Sequence, residues 1–137
     1  MAFGRDPYFP PWPDVAQLNA FDDGMREATA AVLADIGEQC DGIRCDMAML
    51  MTNEVFARTW GRYAGPAPRD EFWPYVLGRV HARHPDLVLI AEAYWDTEWT
   101  LQQQGFDFCY DKRLYDRLVH EDAESIRKHL AADRDYQ

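Results

Sequence analysis

Leu87-Val88-Leu89-Ile90-Ala91-Glu92 is the stretch on which the fold reading turns. Five apolar residues run without interruption and stop at a carboxylate. A continuous apolar run of this length predicts a parallel strand buried on both faces, since an antiparallel surface strand would alternate with polar residues. Glu92 then stands at the strand's C-terminal end. A second, shorter strand precedes it: Gly42-Ile43-Arg44-Cys45-Asp46-Met47. Alternation of side chains puts Ile43 and Cys45 on one face and Arg44 and Asp46 on the other. Two charges on one face of so short a strand point to a site.

Working outward, helices separate and flank these strands. Asp22 or Asp23 can cap a helix whose stripe is Met25, Ala28, Thr29, Val32, Leu33 and Ile36. Residues 52–63 are expected to be helical with Asn53 as cap. A further helix is expected from about Glu71 to Arg83, with Pro74 in its first turn and Phe72, Tyr75, Val76, Leu77 and Val80 on its apolar side. Beyond the helix stop at Gly105, Phe106-Asp107-Phe108-Cys109-Tyr110 reads as a third strand. Helical segments carrying Leu114, Leu118, Ile126 and Leu130 follow it. The order α, β, α, β, α, β, α predicts an α/β fold with a parallel sheet and helical crossovers. An open doubly wound sheet and a section of an eight-fold β/α barrel both satisfy it. No glycine-rich phosphate loop follows any strand, which counts against a nucleotide-binding open sheet. Residues 1–21 hold four prolines (Pro7, Pro10, Pro11 and Pro13) and are expected to form a loop.

Composition narrows the function classes. The chain has 137 residues, 47% of them hydrophobic and 28% charged, in the range of one globular domain. The net charge of −10 disfavours nucleic acid and anionic membrane surfaces as partners. No apolar run approaches the length of a membrane span, and no signal peptide opens the chain. The three cysteines, Cys40, Cys45 and Cys109, form no closed set of disulfides and no metal-binding spacing. A reducing, cytoplasmic compartment is the expectation. His81 and His84, three apart near a helix C-terminus, are better explained by the helix dipole than as a metal site.

Asp46 and Glu92 each end a strand, on the rim where parallel β/α folds carry their chemistry. Consecutive strands tend to be neighbours, so the two carboxylates are expected to face one another. A glycosidic bond is broken by such a pair, one acid protonating the leaving oxygen and one carboxylate attending the anomeric carbon. Arg44, on the face of Asp46, would hold that group ionised, and the apolar run before Glu92 would keep it protonated. Tyr94 and Trp95, and also Trp99, could stack on sugar rings, with Trp12 and Phe9 ranked behind them. Strand-end carboxylates also serve simply as caps, and that alternative stays open.

Asp41-Gly42-Ile43-Arg44-Cys45-Asp46-Met47-Ala48 resembles the segment around the catalytic Asp of the α-amylase family of glycoside hydrolases. Leu89-Ile90-Ala91-Glu92-Ala93 resembles the same family's acid/base segment, Trp12-x-Asp14-x-x-Gln17-Leu18-Asn19 the approach to the preceding helix, and Gly105-Phe106-Asp107-x-x-Tyr110-Asp111 the following strand. The resemblance runs in order from about Trp12 to Leu118. It implies a partial (β/α)8 TIM barrel, roughly strands four to six with their helices, over residues 1–137, with βα units spanning 22–137. It implies Asp46 as nucleophile, Glu92 as acid/base, Arg44 as the residue holding Asp46, and an α-glucan or oligosaccharide substrate cleaved with retention. No cofactor and no metal is implied. The family's His-Asp pair after the seventh strand and its Asp and Asn-His segments after the third have no counterpart, and Met49-Leu50 stands where a Lys-His pair is common. The chain is therefore expected to be a fragment, inactive alone. The alternative is a non-catalytic carbohydrate-binding or interaction module.

Overall fold

A computed structural model describes residues 2–131. The N-terminal segment holds a two-stranded antiparallel ribbon, β1 (Phe3–Gly4) and β2 (Trp12–Ala16), where a loop is expected from the prolines. The ribbon is tolerated because a strand with an open edge can leave a proline outside the ladder. Pro10 and Pro11 fall in the connection, and only Pro13 lies within β2. Gly4 is required for the close approach: a Cβ there would lie 2.7 Å from Cγ1 of Val15.

Helix α1 (Asp23–Gly37) begins where Asp22 accepts a hydrogen bond from the Met25 N–H. Its buried residues are Arg26, Ala30 and Ala34, so the packed face lies to one side of the expected stripe. Val32 and Ile36 are exposed. Small side chains let α1 lie close to α3 (Phe72–Arg83), and Arg26 decides the rotation. Its guanidinium donates to the carbonyls of Ala20 and Asp70 and to Oδ1 of Asn53, beside the rings of Phe72 and Tyr75. Thr52, not Asn53, occupies the N-cap position of helix α2 (Asn53–Trp60), and its hydroxyl donates to the Met49 carbonyl instead of accepting from the helix. Asn53 is drawn instead into the Arg26 knot, its side-chain amide donating to the carbonyls of Pro68 and Asp70. A 3-10 turn, Ala48–Met51, links the first strand of the main sheet to α2 and buries Ala48 and Met49.

The main sheet has three parallel strands in sequential order: β3 (Gly42–Cys45), β4 (Val88–Ala91) and β5 (Phe108–Cys109). Helix α4 (Glu98–Gln103) precedes β5 and ends before Gly105, whose φ is 112°. Helices α5 (Lys112–His120) and α6 (Ala123–Ala131) close the described chain. The described residues are thus mixed α/β, a parallel sheet flanked by helices, and among them the sheet does not close into a barrel. Residues 132–137 of the expected 1–137 domain lie outside the described residues. No helix among the described residues is long and apolar enough to cross a membrane.

Leu89 and Ala91 are fully buried against the helices, together with Ile43, Cys45, Val76, Leu77 and Val80. The opposite sheet face is open. Val88 is 37% and Phe108 59% exposed, which corrects the expectation that the apolar run is covered on both sides. Among the described residues the sheet has three strands, and its second face leaves Val88 and Phe108 exposed and Ile90 half-buried. Of the later apolar positions, Leu118 and Leu130 are likewise exposed.

Arg26 is the least replaceable side chain of this arrangement. Arg26→Met leaves the Ala20 carbonyl and the Asn53 amide oxygen without their donor and the Asp70 carbonyl with Asn53 alone, and each buried acceptor left unpaired costs roughly 1–3 kcal/mol. Urea denaturation is expected to show a loss of about 3 kcal/mol or more. A change under about 0.5 kcal/mol, the usual size for a surface substitution, would show that Arg26 is not the tie between these segments.

Candidate functional site

Two strands and their register build the site. Cys45 lies opposite Ala91, so the next residues, Asp46 and Glu92, leave the sheet at one level. The backbone stitches the exits together. The Glu92 N–H donates to the Cys45 carbonyl, and the Ala48 N–H to the Glu92 carbonyl. Asp46, Arg44 and Glu92 occur on the open face, as alternation requires.

Arg44 binds both carboxylates. Its Nη1 is 2.6 Å from Oδ2 of Asp46 and its Nη2 is 2.9 Å from Oε2 of Glu92. Because one guanidinium holds both, the bonded oxygens lie within roughly 8 Å of each other, a span that admits the separations of retaining glycosidases and many inverting ones. The burials differ sharply: the Asp46 side chain is 73% exposed and that of Glu92 10%.

Arg44 was expected to serve Asp46 alone, with Glu92 in apolar surroundings. The surroundings of Glu92 are instead polar at close range. Its Oε2 also accepts from the Met47 N–H at 2.7 Å, and its Oε1 accepts from the Tyr94 hydroxyl at 2.6 Å. The reason is register. Arg44 pairs with Ile90, so its long side chain reaches the level of the following residue on both strands. The hydrogen bonds that Arg44 donates to Asp46 and then to Tyr110 push its pKa further up. The Tyr94 phenol is pushed up to about 12, chiefly by its hydrogen bond to Glu92, with burial adding to the effect.

Tyr110 is a residue that the reading of the strands left without a role. It accepts a hydrogen bond from Arg44 Nε at 3.0 Å and lies under the guanidinium, 5.3 Å from ring centroid to Cζ. The signal was present: Phe108 and Tyr110 share a strand face, and Tyr110 stands at the end of β5 as Asp46 and Glu92 stand at the ends of theirs.

Backbone strain collects at the same rim. Met47, Trp95 and Asp96 are the non-glycine residues with positive φ, at 45°, 58° and 63°. The left-handed conformation costs such residues roughly 1–2 kcal/mol each. At Met47 it turns the N–H towards Glu92. Trp95 is carried against Tyr8 of the N-terminal segment, ring centroids 4.8 Å apart. Trp99, on α4, is 49% exposed. His84 is held by α1 through the Ala34 carbonyl at 2.8 Å. Burial pushes the thiols of Cys45 and Cys109 up to about 11, which leaves them protonated and unreactive near neutral pH.

No family model, characterised protein or solved structure matches this chain. Its chemistry is therefore read from the carboxylates, Arg44 and the tyrosines themselves.

The Tyr94–Glu92 bond has a measurable signature. A phenol whose folded pKa lies above its unfolded value near 10 supports the fold fully below pH 10, and that support is lost as pH rises through about 12. The stability difference between the wild type and Tyr94→Phe is expected to shrink across this window. Carbon-detected NMR titration should find the Tyr94 phenol ionising well above 10 in the wild type and closer to 10 in Glu92→Gln. Ionisation near 10 in both proteins would show that the bond is not present in solution.

Proposed function

We propose that this chain is the middle of a (β/α)8 barrel from a retaining α-glycosidase or transglycosylase, with Asp46 as nucleophile and Glu92 as acid/base on an α-linked glucosyl substrate. One observation carries the reading: adjacent parallel strands bring an exposed and a buried carboxylate to the same rim, bridged by a single arginine. The open edges of β3 and β5 and the uncovered face of Val88 and Phe108 support a barrel section, because a parallel sheet is normally covered on both sides and paired further. A whole barrel of this type takes about 250 residues.

The roles follow from exposure. Asp46 is free on one side to reach an anomeric carbon, and Arg44 holds its Oδ2 from the other. Glu92, with Tyr94 and Met47 fixing both its oxygens, is held in one orientation towards the leaving oxygen. In the second half of the reaction it would draw a proton from water or an acceptor sugar. Tyr110 and Tyr94 hold Arg44 and Glu92 in place. Natural α-glucans should not be turned over by the chain alone, because among the described residues no third carboxylate joins the pair on Arg44.

A second reading, a carbohydrate-binding module without catalysis, is favoured by one feature. Both oxygens of Glu92 are already occupied by donors. A general acid must release a donor and take up a proton before it can act.

α-Glucosyl fluoride separates the two readings, since its leaving group needs no acid. In Glu92→Gln the peptide containing Asp46 is expected to gain one glucosyl unit by mass spectrometry, and Asp46→Asn in that background should abolish the gain. Absence of any adduct, or its appearance on another residue, would leave only the binding reading.

A further inference from the structure

Between the N-terminal segment, the chain after β4 and the start of α5 lies a cleft of about 790 Å³. Phe9 and Trp12 line it from the first of these, Tyr94 and Trp95 from the second. Its charges do not balance. Asp6, Asp96, Glu98 and Asp116 stand against Lys112 and Arg113. Both cations are taken up within the protein, Arg113 by Asp96 and Lys112 by Asp116. Asp6 and Glu98 are left over, and among the described residues neither has a cationic partner. Asp6 is only 2% exposed. Its Oδ1 accepts from the N–H groups of Tyr8 and Phe9, at 2.7 and 2.9 Å, and among the described residues its Oδ2 accepts from none.

These properties select a ligand class. A carboxylate shut away from water without a counter-charge is costly, and Asp6 is in that position. The rings add to the same polarity, because the face of an aromatic ring carries the negative end of its quadrupole. An anion would meet two unmatched carboxylates and a chain of net charge −10. A neutral ligand leaves both charges as they are. A bare metal ion wants several oxygen, nitrogen or sulfur ligands at once, and no group of three or more His, Cys, Asp or Glu among the described residues could hold one. An organic ammonium ion meets every feature. It brings positive charge for the two acids, N–H donors for Oδ2 of Asp6, and a cation and apolar body for the rings. A quaternary ammonium would supply the charge but no donor.

We propose that this cleft binds a primary alkylammonium ion, its N–H groups donating to Asp6, its charge offset by Asp6 and Glu98 together, and its apolar body held among Phe9, Trp12 and Trp95. Phe9 is 64% exposed, and a bound alkyl chain would cover it. The site stands apart from the glycosidase reading: it uses neither Asp46, Arg44 nor Glu92. A free amine and the lysine side chain of a peptide share the chemistry that the cleft recognises.

Calorimetric titration of the intact chain at fixed ionic strength, with tryptophan fluorescence as a second readout, tests this. The probes are hexylammonium, Nα-acetyl-lysine methylamide, the neutral isostere 1-hexanol, and maltotetraose. The wild type is expected to bind hexylammonium at least about tenfold more tightly than 1-hexanol. Asp6→Asn keeps an oxygen for the Tyr8 and Phe9 N–H groups while removing the charge, and Glu98→Gln removes the other charge at a half-buried position outside that turn. Each variant, with unchanged circular dichroism, is expected to weaken hexylammonium about tenfold. Tighter binding of hexylammonium than of the lysine derivative assigns a free amine, and the reverse order a lysine side chain; both uphold the site. Equal affinity for hexylammonium and 1-hexanol, equal hexylammonium affinity in the wild type and Glu98→Gln, or no binding of either amine would overturn it. So would maltotetraose bound in place of the amines and weakened by Trp12→Leu. The adduct formed on Asp46 by glucosyl fluoride judges the glycosidase reading separately.

Discussion

The register of β3 on β4 is the constraint from which the rest of the rim follows. Cys45 opposite Ala91 makes Asp46 and Glu92 leave the sheet side by side. A shift of one residue would turn one of them into the helix-packed core, because alternate residues point to opposite faces. Arg44, Met47, Tyr94 and Tyr110 all depend on that alignment for their partners. Buried apolar contacts hold the register: Ile43 and Cys45 beside Leu89 and Ala91, packed on the apolar side of α3. Trp73 adds a specific tie, its Nε1–H donating to the Ala48 carbonyl at 2.8 Å in the turn that follows β3.

Two buried or bridging arginines divide the labour. Arg26 is a structural tie, hidden among backbone carbonyls and aromatic rings, and faces no carboxylate at bonding distance. Arg44 lies at the surface of an open sheet face and bridges two acids and a tyrosine. A buried guanidinium surrounded by carbonyls fixes geometry. An accessible one between carboxylates ties together groups on a rim that a substrate can reach. The connection between β1 and β2 lays Tyr8 against Trp95, beside a cleft that Met47 and Tyr94 also line.

Some elements were legible from local pattern. The Leu87–Ala91 run, the Pro74 helix and the Asp22 cap each rest on a residue type whose preference acts within one turn or one strand. The alternation that separated Ile43 and Cys45 from Arg44 and Asp46 is equally local. Elements that depended on partners were not legible. The ribbon of β1 and β2 forms because one strand meets another, despite Pro13. The packed face of α1 is set by Arg26 finding Asn53, Ala20 and Asp70, so counting apolar residues at helical spacing selects Val32 and Ile36, which are exposed. Asn53 looks like a cap by residue type, but the Arg26 knot claims its side chain.

Sequence by itself determined the alternation of strands and helices, the parallel character of the sheet, and the placing of Asp46 and Glu92 at strand ends, because these follow from short-range periodicity. Only the tertiary structure decided that one arginine bridges both acids, that Tyr94 and the Met47 N–H complete the shell of Glu92, that one sheet face leaves Val88 and Phe108 exposed, and that Asp6 lines a cleft with Phe9 and Trp12. The physical reason is the reach of side chains across strands and loops. Which donors meet a carboxylate depends on register, on left-handed turns such as that at Met47, and on segments distant in the chain.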